Sequence, residues 1–216
     1  MIANYTDLQN AVTEYLARDQ DATLIARIPT FIQLTEAKLN RDLFVRQMED
    51  RITLDIDVTS DEPEFLDLPS DFQSMRRIRL SSVSGKPNLS FLSGVQMDEY
   101  RTKRGDAPGQ PLFFSVIGAE IELMPTPDAD YTIEMVYRQN IPALSADNPT
   151  NWLLTLAPDL YLYGALLESA PYIKEDARIQ TWGLGFKTAL DDLNNLNLTS
   201  NFNAGPLVVR SSGVTP

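Results

Sequence analysis

Histidine and cysteine are both absent from this 216-residue sequence. Without cysteine there is no disulfide, no thiolate metal site and no thiol nucleophile. Without histidine the Ser-His and Cys-His nucleophile pairs, the usual zinc ligand and the commonest general base near neutral pH are gone as well. Carboxylate, lysine or tyrosine chemistry is all that remains, and the composition points away from an enzyme and from any cofactor. Positive charge is scarce too. Lys and Arg number 18 against 30 Asp and Glu, a formal charge of −12. The deficit is spread along the chain, 5 against 8 over residues 1–50, 9 against 15 over 51–145 and 4 against 7 over 146–216. A sequence-reading DNA binder carries a basic footprint, and this chain as a whole repels phosphate. Any contact with DNA is expected to be transient and non-specific, as on a surface that DNA slides past.

Long apolar runs are missing as well. The greasiest stretch is "APDLYLYGALLESAPYI", Ala157–Ile173, in which Leu160–Leu167 pass without a charge. A membrane-spanning helix needs about 20 mainly apolar residues, and this run is bracketed by Asp159 and Glu168. The opening "MIANYTDLQN" has neither a basic leader nor an apolar core, so no export signal and no membrane partner are expected. Pro158 suits a first helical turn, and Pro171 is expected to end the helix. The stretch then reads as about three turns of helix buried on more than one side.

What is present is a helix–sheet–helix order. Thr6 and Gln9 fit a capping box, and Leu8, Val12 and Leu16 recur at helical spacing. Pro29 opens a second helix whose stripe includes Phe31, Ile32, Thr35, Leu39 and Leu43. At Arg51 the period changes to two: Ile52, Leu54, Ile56 and Val58 alternate with charged and polar residues, the mark of a half-buried strand. Further strands are predicted over 64–68, 75–82, 112–117, 120–124 and 131–138, the last three as an antiparallel meander, with a short helix over 95–103. After "NIPALSADNPTNW" helices return, at 152–157, in the greasy stretch, and over about 175–197. On the last, Ile179, Trp182, Phe186, Leu190, Leu193 and Leu196 form the stripe, while Gly183 and Gly185 predict close approach of another backbone. The predicted fold is α+β: a helical bundle built from both chain ends (1–50 and 146–198), an inserted antiparallel β-rich domain (51–145) and an extended C-terminal arm (199–216). A helix apolar all round is more than one small bundle uses. Tyr161 and Tyr163, with Trp182, are therefore candidates for a subunit interface.

Few residues suggest chemistry. Asp55, Asp57, Asp61 and Glu62 crowd a strand end but lack the glycine and distal glutamate of a calcium loop, and read as a solvated end. Glu120 and Glu122 share a strand face and fit an acid–base pair, but their alternation with Ile121 and Leu123 reads as a wet strand face. Arg76, Arg77 and Arg79, with Arg101, Lys103 and Arg104, are the basic clusters, suited to an acidic partner, a phosphate backbone or an ordinary charged surface. The tail "TSNFNAGPLVVRSSGVTP" reads either as a disordered end or as an arm that adds a strand to another chain or packs into a groove.

Taken together, "NYTDLQNAVTEYLARDQ", "IPTFIQLTEAKLNRDLFVRQME" and "NIPALSADNPTNWLLTLAPDLYLYGALLESAPYIKED" resemble the adaptor proteins of tailed bacteriophages, the head-to-tail connector or gatekeeper subunits that bind beneath the portal. The β-rich insertion matches in kind more than in motif. The resemblance implies a structural virion protein, made in the host cytoplasm and located in the neck, that forms a ring with copies of itself, typically about twelve. It implies the portal protein and tail or nozzle proteins as partners, and a ring that extends the channel for packaged DNA. In related adaptors a C-terminal arm contacts the portal, which here points to Phe202, Leu207, Val208, Val209 and Arg210. A carboxylate-based virion glycan hydrolase using Glu120 and Glu122, and a monomeric binding module, are the alternatives.

Overall fold

The computed structural model describes residues 1–105, 107–174 and 177–201. The arm residues Phe202, Leu207, Val208, Val209 and Arg210 lie outside the described residues. In chain order the helices are α1 (Tyr5–Leu16), α2 (Ala22–Ile25), α3 (Ile28–Asp42), α4 (Gly94–Arg104), α5 (Trp152–Leu156), α6 (Pro158–Ile173) and α7 (Ile179–Asn201). The strands are β1 (Glu49–Ile56), β2 (Phe65–Asp67), β3 (Phe72–Leu80), β4 (Ser90–Phe91), β5 (Phe113–Ile117), β6 (Glu120–Met124) and β7 (Tyr131–Gln139). The protein is thus mixed α+β. The chain divides into two compact units, one of Gln47–Asn140 and one of Met1–Arg46 with the chain from Ile141 onward.

In the helical unit the first three starts have local causes. Asn4, not Thr6, caps α1: its side chain accepts from the Asp7 N–H at 2.9 Å, and Asp7 accepts from the Ala3 N–H at 3.0 Å. The short Asn side chain satisfies an orphan donor of the first turn from just outside the helix. The left-handed Ala17 (φ 52°) closes α1. Asp21 caps the single turn of α2 through the Thr23 and Leu24 N–H groups, and Pro29 stands in the first turn of α3.

The greasy stretch forms α6, which packs against α1, α3, α5 and α7. Leu160, Tyr161, Leu162, Gly164, Ala165, Leu166, Ser169 and Ala170 are all buried, which accounts for the missing polar face. The helix runs through Pro171 rather than stopping before it. That proline falls in the final turn, where little ladder remains to lose, and the neighbouring Tyr172 ring packs 5.8 Å from Phe31.

The second unit holds two sheets. One has the order β1–β7–β3, wholly antiparallel; the other has the order β2–β6–β5–β4, in which β4 and β5 run parallel. Ile56, Ile78, Leu80, Ile133, Met135 and Tyr137 from the first sheet meet Phe114, Ile121 and Leu123 from the second in one core. Two expectations are corrected. The last three strands are not a meander, because β7 leaves the β5–β6 hairpin through residues 125–130 and lies between β1 and β3. The domain is not purely antiparallel either: β4, at two residues too short to show a period in the sequence, pairs parallel with β5.

Candidate interaction surfaces

Tyr161 stands at the centre of the helical unit, fully buried. Its hydroxyl donates to Glu36 Oε1 at 3.2 Å and accepts from Asn151 Nδ2 at 2.7 Å. Asn151 Nδ2 also donates to the Pro142 carbonyl at 2.7 Å, and its Oδ1 caps α5 by accepting from the Leu154 N–H at 2.7 Å. The Leu144 N–H donates to Glu36 Oε1 at 2.8 Å. One buried carboxylate thus ties α3, α6 and the 141–151 connection together. Burial pushes the Glu36 carboxyl above the usual glutamate range, and the two hydrogen bonds only partly oppose this. Burial likewise raises the Tyr161 phenol, with the Glu36 charge adding to it. The ring assigned from sequence to a subunit interface is therefore turned into its own core.

Trp182 is also buried, with the Arg178 guanidinium 5.1 Å from its ring centre. Tyr163 is half-buried, and its ring fills the space a side chain at Gly185 would need. Gly185 thus makes room for a ring rather than a backbone, and Gly183 is in only ordinary contact with Leu167. The tightest glycine is Gly164, where an added Cβ would run into Thr35 Cγ2 and lie 3.1 Å from Phe186. Apolar surface on this unit lies elsewhere than on the aromatic trio: Leu34, Tyr172, Leu184 and Leu196 are exposed, Leu184 by 68%.

In the second unit the outer face of the β1–β7–β3 sheet gathers arginines. Register brings Thr53 and Arg79 beside Glu134, and Arg51 and Arg77 beside Val136. Glu134 is 7% exposed and pairs with Arg79 at 2.8 Å, Arg77 at 3.2 Å and Arg51 at 3.5 Å. The Arg79 hydrogen bond, followed by the Arg charges, holds its carboxyl below the usual range. Arg76 pairs with Glu49 at 3.2 Å. The arginines read as one run in sequence are thus engaged by carboxylates of neighbouring strands.

The acidic candidates separate. Glu120 is exposed, whereas Glu122 is 6% exposed and pairs with Arg101 of α4 at 2.8 Å. Glu122 is therefore covered by an arginine rather than being on a wet face. At the strand end, Asp57 accepts from the Thr59 hydroxyl and N–H, and Asp55 from the Thr132 hydroxyl. Among the described residues no group of three or more His, Cys, Asp or Glu is arranged to hold a metal, and no helix is long and apolar enough to cross a membrane.

One feature escaped the sequence altogether. A cleft of about 670 Å³ opens between β3 and the β4–β5 edge, lined by Phe72, Met75, Ile78, Leu89, Phe91 and Phe114 among others. Register shifts at Phe72/Ser74 and Met75/Arg77 break the period-two pattern that would have marked these side chains as one face.

No curated protein matches the chain. A family model described as SU10 adaptor protein matches residues 3–210, covering both units and most of the tail. The chain therefore belongs to the SU10 adaptor protein family, a family of structural head-to-tail adaptors of bacteriophages.

Proposed function

We propose that this protein is a head-to-tail adaptor subunit that forms a ring beneath the portal in the virion neck, extends the DNA channel and gives the tail its attachment site. The observation that carries the reading is the family match across residues 3–210. Portal and tail proteins and further copies of the chain are its partners, with about twelve copies in the ring. The helices of both chain ends form one bundle around α6, and the second unit is an inserted domain. Leu34, Leu184 and Leu196 are apolar side chains left exposed on this unit and available for contact with other subunits. Of the three aromatics assigned to an interface, Tyr163 is half-buried and has surface to offer, whereas Tyr161 and Trp182 are buried. The arm bearing Phe202, Leu207, Val208, Val209 and Arg210 fastens the subunit to a partner, and the portal is the one the resemblance implies. The protein is made in the host cytoplasm and acts without a catalytic step or cofactor.

The test is co-sedimentation with portal particles, followed by electron microscopy of the pellet. Full-length protein should sediment with the particles and add a ring below the portal. A chain ending at Ser200 should fold with an unchanged melting temperature yet fail to stay attached. Full-length protein that remains a lone 24.2 kDa species beside portal particles overturns the reading.

A further inference from the structure

The edge of β3 is only partly covered. β7 pairs along one side of it. On the other side residues 87–89 reach only Ile78–Leu80, through the Leu89 N–H to the Ile78 carbonyl and the Leu80 N–H to the Pro87 carbonyl, both 3.0 Å. Among the described residues no strand lies against Ser74–Arg77 on that side. The 670 Å³ cleft lies against this open edge, with Met75, Ile78, Leu89 and Phe114 among its apolar lining and Phe91 at its rim, 61% exposed. An open row of main-chain groups beside an apolar floor is what an extended segment needs. The edge supplies hydrogen bonds, and the floor takes every second side chain. The volume falls within the roughly 300–1,000 Å³ of binding pockets.

We propose that this cleft receives the segment Leu207–Arg210 of a second copy of the chain, added to β3 as a strand in line with residues 87–89. Fifteen residues follow Asn201, and their one consecutive apolar run is Leu207-Val208-Val209, set between Gly205-Pro206 and Ser211-Ser212. β-branched residues suit a pleated strand, and Pro206, which has no N–H to give, fits a strand's first position. The period of two sends Leu207 and Val209 to the floor and leaves Val208 and Arg210 outward. From Asn201 to Leu207 the chain spans up to about 20 Å when extended, which carries Leu207 clear of its own helix. A single such strand docks weakly, because ordering it costs about 1–2 kcal/mol per residue. Repetition around a closed ring supplies the effective concentration that makes it sufficient. The proposal rests on the ring reading and gives Leu207–Arg210 a receptor in a neighbouring subunit in place of the portal contact that the resemblance implies.

The cysteine-free chain makes disulfide trapping clean. Phe91→Cys in one full-length chain and Val209→Cys in another, the second carrying a size tag, are mixed, assembled on portal particles and mildly oxidised. A mixed disulfide then joins two copies and requires their Cα atoms within about 7 Å. Its yield should exceed roughly tenfold that of a Val95→Cys partner, a site 71% exposed on α4 outside the cleft. Adding Leu207→Asp to the Val209→Cys chain should return the yield to the control. Ser74→Cys, on the open edge, repeats the test without touching Phe91. A ring on the portal with trapping no better than the control overturns this inference and leaves the adaptor reading standing. Val209→Cys trapped instead within a double-cysteine chain, or on the portal, also overturns it. Protein that does not attach to portal particles overturns both.

Discussion

Gly164 sets how closely α6 and α3 approach, and it does so without any signal of its own. Substituting alanine places a methyl group against Thr35 Cγ2, whose own hydroxyl is anchored by a 2.8 Å bond to the Phe31 carbonyl. Overpacking of this kind costs about 1–3 kcal/mol. Gly164→Ala should therefore lower the urea midpoint at an unchanged slope. Gly183→Ala, where the new methyl meets only Leu167 Cδ1 at 3.9 Å, is the contrast and should gain up to about 1 kcal/mol of helix propensity. The sequence drew attention to Gly183 and Gly185 because a glycine interrupting a helical stripe is visible in one dimension. Gly164 was hidden in a run already apolar, and its neighbour Thr35 is remote in the chain. Glu36 was equally illegible, since a single Glu on a helix reads as solvent-facing until Leu144 and Tyr161 are placed over it. Its raised folded value means that the native state holds a proton the unfolded chain has released, so its contribution is full below the unfolded value, about 4.3, and is lost as pH rises through the folded one. Glu36→Gln keeps an oxygen for the Leu144 N–H and the Tyr161 hydroxyl and removes the buried charge. The melting temperature of the variant relative to the parent should climb as pH rises above about 4.3. A difference independent of pH means that Glu36 titrates alike in both states.

At the scale of elements, the helices and most strands were legible because their periods differ. Ile52, Leu54 and Ile56 do face the core through their pairing with Met135, Ile133 and Tyr131. Periodicity carries no information about partners, so it could not tell that β7 would serve β1 and β3 rather than β6. It placed a strand over 75–82 where β3 runs Phe72–Leu80, because the two register shifts that leave Arg76 and Arg77 both exposed break the alternation along its first half. The sheet face that results is governed by Glu134. With Arg79, Arg77 and Arg51 around it, its removal leaves like charges facing one another. Its folded value is depressed, so the stabilisation it gives is present above the unfolded value and is lost as pH falls through the folded one. Glu134→Gln should thus lower the melting temperature at neutral pH and match the parent in acid, the reverse of the Glu36→Gln profile. Salt should narrow the neutral-pH gap, because Arg51 and Arg77 are well exposed and screened. A gap of the same size at every pH and salt would mean a packing defect instead.

For the whole molecule the governing quantity is where the charge resides. Residues 47–140 carry 17 Asp and Glu against 9 Lys and Arg, and the remainder carries 13 against 9, so the two units hold −8 and −4 of the total −12. The basic residues of the strand-rich unit do not offset this locally, because Arg51, Arg77 and Arg79 converge on Glu134, Arg76 on Glu49 and Arg101 on Glu122. A phosphate that engages one of these guanidinium groups must compete with a carboxylate already in place. The gain from counterion release is then small, and the surrounding acidic field opposes approach. In the ring proposed above, neighbouring copies would repeat the same repulsion at short range, screened beyond about 10 Å at 0.1 M salt. Duplex DNA should therefore bind no tighter than non-specific contacts do, with a dissociation constant weaker than about 1 μM at physiological salt, and with no preference among sequences. Fluorescence anisotropy with two unrelated duplexes, read across a salt series, measures both properties. Nanomolar binding to one of them would mean that guanidinium groups leave their carboxylates for phosphate, and would overturn the proposed role as a DNA conduit.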